Sequence, residues 1–215
     1  MITEKAKDNL ITTKARLVAR GYEENKSRIR SDSPTCMEDS VRMLLGIAAG
    51  KGWKIPYLDV KAAILLGKSI ERDLFLQPPA KFRNKGMIWK LRKVVYDLCD
   101  ASRSWYLKVV EVLTELGMTV GKLYKALFTF KTDALQGIVL VHVDDALYVG
   151  TRLFLSKVME PFKRKLKVSR DDNIAFQYLG VSLCQTNAGI ELSQKHYLEG
   201  MKPDLLPREA LTDKE

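Results

Sequence analysis

Two strand-like runs, GIVLVHV (137–143) and ALYVG (146–150), are separated by only Asp144 and Asp145. Runs this apolar and β-branched, this close together, can hardly do anything but close as an antiparallel hairpin. The expected two-residue turn is then Asp144-Asp145 itself. That is a poor choice for a plain turn, where glycine or asparagine normally supplies positive φ. Adjacent like charges also repel. A bound cation would remove the repulsion, and hard divalent ions such as Mg2+ prefer carboxylate oxygens. Asp59 ends another apolar run, IPYLDV (55–60), and would converge on the acidic tip if the two strands are neighbours. Three such carboxylates suit a pair of metal ions ~3.5–4 Å apart, a known device for phosphoryl transfer. The residues alone leave a plainer alternative open: a solvated acidic turn and an unrelated buried aspartate.

The rest of the chain reads as alternating elements. LVARGY (17–22) is expected as a short strand and 23–35 as a polar loop. MEDSVRMLLGIAAG (37–50) has helical spacing, with Val41, Leu44, Leu45 and Ala48 on one face. Residues 53–67 read as a strand running into a turn or short helix, and LFLQPP (74–79) as a strand stopped by prolines. ASRSWYLKVVEVLTELGM (101–118) is a helix with Trp105, Val109, Val112 and Leu116 aligned. ALFTFK (126–131) adds a strand, 153–167 a basic helix, and FQYLGVSLC (176–184) with GIELSQ (189–194) a further hairpin. Residues 1–13 and 203–215 are expected to be disordered. The order implies an α+β fold, an antiparallel sheet with helices on one face.

The chain has 215 residues, 46% hydrophobic and 29% charged, ordinary for a globular domain or two lobes sharing a core. Its formal net charge of +10 favours a polyanionic partner, nucleic acid being the commonest. Cys36, Cys99 and Cys184 are odd in number and show no CxxC spacing, so a zinc site or disulfide framework is not expected. The N-terminus lacks the apolar run of a signal peptide, and no stretch nears the ~18 apolar residues of a membrane span. The expectation is a cytoplasmic protein without a membrane partner.

The blocks KARLVARGY (14–22), SPT (33–35), LDVKAAILLG (58–67), LFLQPP (74–79), WKLRKVVYDLCDASRSWY (89–106), LVHVDDALYVG (140–150), FQYLG (176–180) and LSQKHY (192–197) follow one another as in copia-type retrotransposon reverse transcriptases. The resemblance spans about 14–202. It implies a right-hand polymerase, with fingers at about 14–55 and 68–95 and palm at about 56–67 and 96–202. It implies an RNA-directed DNA polymerase domain of a Gag-Pol polyprotein, acting on an RNA template, a DNA primer and dNTPs. Asp59, Asp144 and Asp145 match the catalytic aspartates. With the backbone carbonyl of Val60 they would hold two Mg2+ ions, or Mn2+. Lys14, Arg16, Ala63 and Ile64 fall at nucleotide-binding positions. His142, Tyr178, Leu179, Gly180, Asp100 and Arg103 fall where primer and template are contacted. An intact member would carry integrase and RNase H domains and work within virus-like particles. Here the thumb and RNase H are expected to be absent or vestigial, which implies a polyprotein fragment with weak or no activity alone. The alternative is a non-catalytic nucleic-acid-binding remnant of the same fold.

Several positions depart from the family pattern. His142 replaces a tyrosine. Ile64 replaces an aromatic expected to exclude the ribonucleotide 2′-hydroxyl. Asp97 stands where glycine would permit close backbone approach or positive φ. Ser102 replaces a proline at a helix start. Trp53, Trp89 and Trp105 read as core rather than base-stacking platforms. KRKLK (163–167) reads as a phosphate contact or a solvated helix face, and Asp171-Asp172 as a surface turn.

Overall fold

The structure, a computed structural model, describes residues 2–7, 10–82, 86–134, 136–168, 170–172 and 174–201. The tail expected at 203–215 lies outside the described residues. Residues 1–13 were expected to lack structure. Instead β1 (Ile2–Lys7) and β2 (Leu10–Ala15) pair as an antiparallel hairpin. LVARGY does not form a strand: Val18 makes a single parallel bridge to Tyr96, and Gly21–Glu23 turns as a 3-10 helix.

Helix α1 (Glu38–Lys51) buries Leu44, Leu45 and Ala48, as its spacing demands. It ends at Gly52, whose left-handed φ of 63° lets its N–H cap the Ala48 and Ala49 carbonyls. Strand β3 (Tyr57–Asp59) follows, then the single turn α2 (Ala63–Leu66). The short strands β4 (Phe75–Leu76) and β5 (Trp89–Lys90) pair with each other. Helix α3 (Ala101–Glu115) precedes the meander β6 (Thr119–Val120), β7 (Leu127–Lys131), β8 (Gln136–His142) and β9 (Asp145–Gly150).

The basic stretch is helical but not uniform: α4 (Arg152–Phe154), a π turn (Leu155–Met159) and α5 (Glu160–Leu166). Pro161 opens α5 and supplies no N–H to the preceding turn, a physical reason for the ladder to reset there. Strand β10 (Arg170–Asp172) holds the second acidic pair, so Asp171-Asp172 is strand rather than surface turn. FQYLGVSLC is a hairpin in itself, β11 (Ala175–Tyr178) and β12 (Val181–Gln185), with β13 (Ile190–Ser193) as its third strand. The exposed α6 (Lys195–Gly200) ends the described chain.

The main sheet has the order β10-β3-β9-β8-β7-β6 and is antiparallel throughout. Its helices do not lie on one face, as the sequence suggested. Val139, Val141, Ala146 and Tyr148 pack with Trp105, Val109, Phe154 and Phe162 of α3, α4 and α5. Leu140, Leu147 and Val149 point the other way and meet Leu44, Leu45 and Ala48 of α1 with Phe176 and Leu183 of the three-stranded sheet. Adjacent strand residues alternate between faces, so the central strands are covered on both sides. That is why VLV and ALYVG read as continuous apolar runs. No helix among the described residues is long and apolar enough to cross a membrane.

Gly137 and Gly150 face each other in the β8–β9 ladder, and the fully buried Phe154 ring lies across them. A Cβ on Gly150 would stand 2.5 Å from Phe154 Cδ1 and 2.5 Å from the Gln136 carbonyl oxygen. Gly150→Ala is expected to cost about 1–3 kcal/mol through overpacking. Urea unfolding should report it as a lower midpoint; an unchanged midpoint would show that the close approach is absent.

Candidate active site

The site is set by strand register. In the β3–β9 ladder Asp59 stands opposite Asp145, and in the β8–β9 ladder His142 stands opposite Asp145. The Val60 N–H donates to the Asp144 carbonyl at 2.9 Å, and the Tyr148 N–H donates to the Pro56 carbonyl at 3.3 Å. Those bonds fall on alternate pairs, which makes Asp59–Asp145 a non-hydrogen-bonded pair. Such pairs bring their side chains closest, with Cα atoms ~4.5 Å apart. Both carboxylates therefore leave the same sheet face, and Asp144 sits one residue away at the exposed tip.

The tip differs from the expected one. Asp145 is already in β9, and the two turn residues are Val143 and Asp144. The positive φ, 55°, falls on Val143. A β-branched residue there is a genuine outlier. Its carbonyl accepts the Trp105 indole N–H at 2.5 Å.

Burial pushes the Asp145 carboxyl above the ordinary range, and the charges of Asp144 and Asp59 push in the same direction. The Tyr57 hydroxyl, which donates to Asp145 Oδ1 at 2.6 Å, and His142 oppose them. Desolvation is the largest cause, and the neighbouring negative charges add to it. Among the described residues no group of three or more His, Cys, Asp or Glu side chains stands gathered as a ready-made metal cage. The facing carboxylates, with a third beside them, are nonetheless hard oxygen donors of the kind that suits a divalent cation. Val60 is seen engaged through its N–H.

An aromatic layer supports Asp145 from below. The Tyr57 ring stacks on Phe176 at 5.3 Å and meets Tyr178 edge-on at 6.2 Å. The Tyr178 hydroxyl lies 3.0 Å from Cys36 Sγ, which is 3.9 Å from His142 Nδ1. Tyr57 and Cys36 escaped the sequence reading. The signal for Tyr57 was its place two residues before Asp59, hence on the same strand face. Cys36 carried no comparable signal.

Other sequence-derived site residues are redistributed. Tyr178 is buried, at 3% exposure, so it is part of the aromatic layer and not an open contact surface. Leu179 and Gly180 do form an exposed hairpin tip, with φ of 49° and 79°. Ala63 and Ile64 are buried in the core beside Trp105, because Ala62 at φ 56° turns the chain inward. Lys14 lies on β2, with its side chain outside the described residues. Arg16 is exposed, its guanidinium 5.3 Å from the centre of the Tyr96 ring. Asp100 is held by both arms of Arg72, which also donates to Glu24 at 2.8 Å. Arg103 donates to Asp32 at 2.5 Å. Both residues make these ion pairs while lining one surface pocket with Lys68 and Leu107. Asp97 has φ 68°, and a Cβ on Gly21 would stand 1.8 Å from its carbonyl oxygen. The positive φ that would favour glycine at position 97 is therefore present and aspartate bears it, while the close backbone approach requires the glycine at 21.

The Arg72 cluster joins three loops. Burial alone would raise the Glu24 carboxyl, but hydrogen bonds from the Cys99 N–H and Arg72 outweigh it and hold the carboxyl below its ordinary value. A depressed carboxylate stabilises the fold above its unfolded pKa, and that contribution fades as pH falls through the folded value. Arg72→Met should cost about 2 kcal/mol at neutral pH, and less in acid. Equal unfolding midpoints for variant and wild type at pH 7 would contradict this.

A family model described as reverse transcriptase (RNA-dependent DNA polymerase) matches residues 2–210. The chain is 30% identical over 191 residues to a retrovirus-related Pol polyprotein from transposon RE1 of Arabidopsis thaliana, covering 86% of this chain and 13% of that protein. It is 30% identical over 190 residues to the Pol polyprotein from transposon RE2 of the same plant, with coverage of 86% and 13%. It is 32% identical over 200 residues to that of transposon TNT 1-94 of Nicotiana tabacum, with coverage of 88% and 15%. The chain thus spans 13–15% of the length of these relatives. No solved structure matches it significantly.

Proposed function

The chain belongs to the copia-type reverse transcriptases, and from that membership we propose that it is the fingers and palm of an RNA-directed DNA polymerase within a transposon polyprotein. In this reading the fingers are about 14–55 and 68–95, and the palm about 56–67 and 96–202. The reaction adds deoxynucleotides to a primer 3′-hydroxyl on an RNA template. The observation that carries the reading is the cross-strand pairing of Asp59 with Asp145, with Asp144 adjoining.

Asp59, Asp144 and Asp145 would hold two Mg2+ ions, helped by the Val60 carbonyl. Bound there, the ions would activate the attacking hydroxyl and neutralise the departing pyrophosphate. The chain's own groups do the rest. Tyr57 orients Asp145 through its hydrogen bond, and the aromatic layer keeps water from its lower side. Arg16, with Lys14 on the adjoining strand, supplies positive charge for the triphosphate. The Leu179-Gly180 tip and His142 are the surfaces offered to the primer end. In the intact element, integrase and RNase H domains would accompany this one.

A second reading, a nucleic-acid-binding remnant without catalysis, is favoured by two observations. Ile64 and Ala63 are buried, and Asp97 stands at positive φ where the family pattern has glycine. Primer extension on an RNA template with Mg2+ or Mn2+ separates the two. The polymerase reading expects incorporation, reduced at least about a hundredfold in Asp145→Asn by loss of several kcal/mol of metal-borne stabilisation. Salt-sensitive RNA binding with no incorporation by the wild type selects the remnant. Undiminished extension by Asp145→Asn removes the site assignment.

A further inference from the structure

The strained turn is clamped from two sides. The Val60 N–H holds the Asp144 carbonyl at 2.9 Å, and the Trp105 indole holds the Val143 carbonyl at 2.5 Å. Trp105 is 2% exposed and belongs to α3, on the side of the sheet away from the carboxylates. A buried indole needs some acceptor for its N–H. Here that acceptor is the carbonyl of Val143, whose positive φ a β-branched side chain resists. Strained conformations persist only where surrounding structure over-determines them. If Val143 relaxed to negative φ, Asp144 and the start of β9 would re-aim.

We infer that Trp105 is a positioning residue for the acidic turn: its indole N–H holds Val143 at positive φ and so keeps Asp144 and Asp145 directed at Asp59. This rests on the metal-site reading above for its consequence, though not for its geometry. The bland alternative, that Trp105 only fills the core, makes a different forecast. Phenylalanine retains most of the ring but lacks the N–H.

The test measures Mn2+ binding to the full chain without nucleic acid, by water-proton relaxation, beside the crystal structure of the Trp105→Phe variant. Trp105→Phe should weaken Mn2+ binding about five- to tenfold, the worth of one hydrogen bond held against strain, and Val143 should relax to negative φ. Val143→Gly removes the cost of positive φ. Added to Trp105→Phe, it should restore most of the lost affinity. Wild-type affinity in Trp105→Phe overturns the inference, as does a failure of Val143→Gly to restore it. Equal Mn2+ binding by wild type and Asp145→Asn would remove the metal site instead. The backbone of Trp105→Phe then decides alone: negative φ at Val143 sustains the positioning role, and retained positive φ ends it.

Discussion

Strand register between β3 and β9 is the constraint on which the site depends. Side chains alternate across a sheet, so a slip of one residue would send Asp145 to the opposite face and leave Asp59 facing Asp144 or Ala146. The register is held by the Val60–Asp144 and Tyr148–Pro56 bonds at either end of the pairing. It is also held by burial. Leu58 and Tyr148 must face α3 and α5, while Tyr57 and Leu147 must face α1 and the three-stranded sheet. Each residue buries its apolar side only in this alignment. The cost of burying a large apolar side chain wrongly, about 1.5–3 kcal/mol each, outweighs the repulsion of two half-exposed carboxylates.

The same alignment concentrates functional strain in one spot. Two carboxylates share a face, a third adjoins them, and a valine takes a backbone conformation that suits glycine. The surroundings are built to tolerate this: a tyrosine hydroxyl on Asp145, an aromatic stack beneath, and an indole on the Val143 carbonyl. Ala62, Asp97, Lys167 and Leu179 also take positive φ, but among the described residues Val143 is the β-branched one, and it stands where chemistry is proposed. The basic excess over the whole chain suits the polyanion that such a site would act upon.

Much of this was legible in the sequence, because it rests on periodicity. The apolar runs around Asp144 and Asp145, the helices at 38–51 and 101–115, and the convergence of Asp59 on the acidic hairpin all follow from local patterns. What was not legible depends on distant partners. The turn falls on Val143 and Asp144 because the β8–β9 register pairs His142 with Asp145, and the Trp105 indole that meets the Val143 carbonyl lies 38 positions away in the chain. An amphipathic helix announces that it buries a face, but not which side of the sheet it will cover, and so α1 was misassigned. Leucine gives no local sign of positive φ, so the residues of FQYLGVSLC read as one run although the chain turns at Leu179-Gly180. The ion pairs of Asp100 with Arg72 and of Arg103 with Asp32 join residues 28 and 71 positions apart, beyond any local pattern.

The register itself can be trapped chemically. Non-hydrogen-bonded antiparallel pairs, with Cα atoms ~4.5 Å apart, accept a disulfide. The full chain carrying Asp59→Cys and Asp145→Cys, mildly oxidised and mapped by peptide mass spectrometry, should yield the 59–145 bridge in high proportion. The companion chain with Asp59→Cys and Asp144→Cys should yield little of the 59–144 bridge. The reverse preference, or no 59–145 bridge in a folded chain, would mean that the two carboxylates do not face one another.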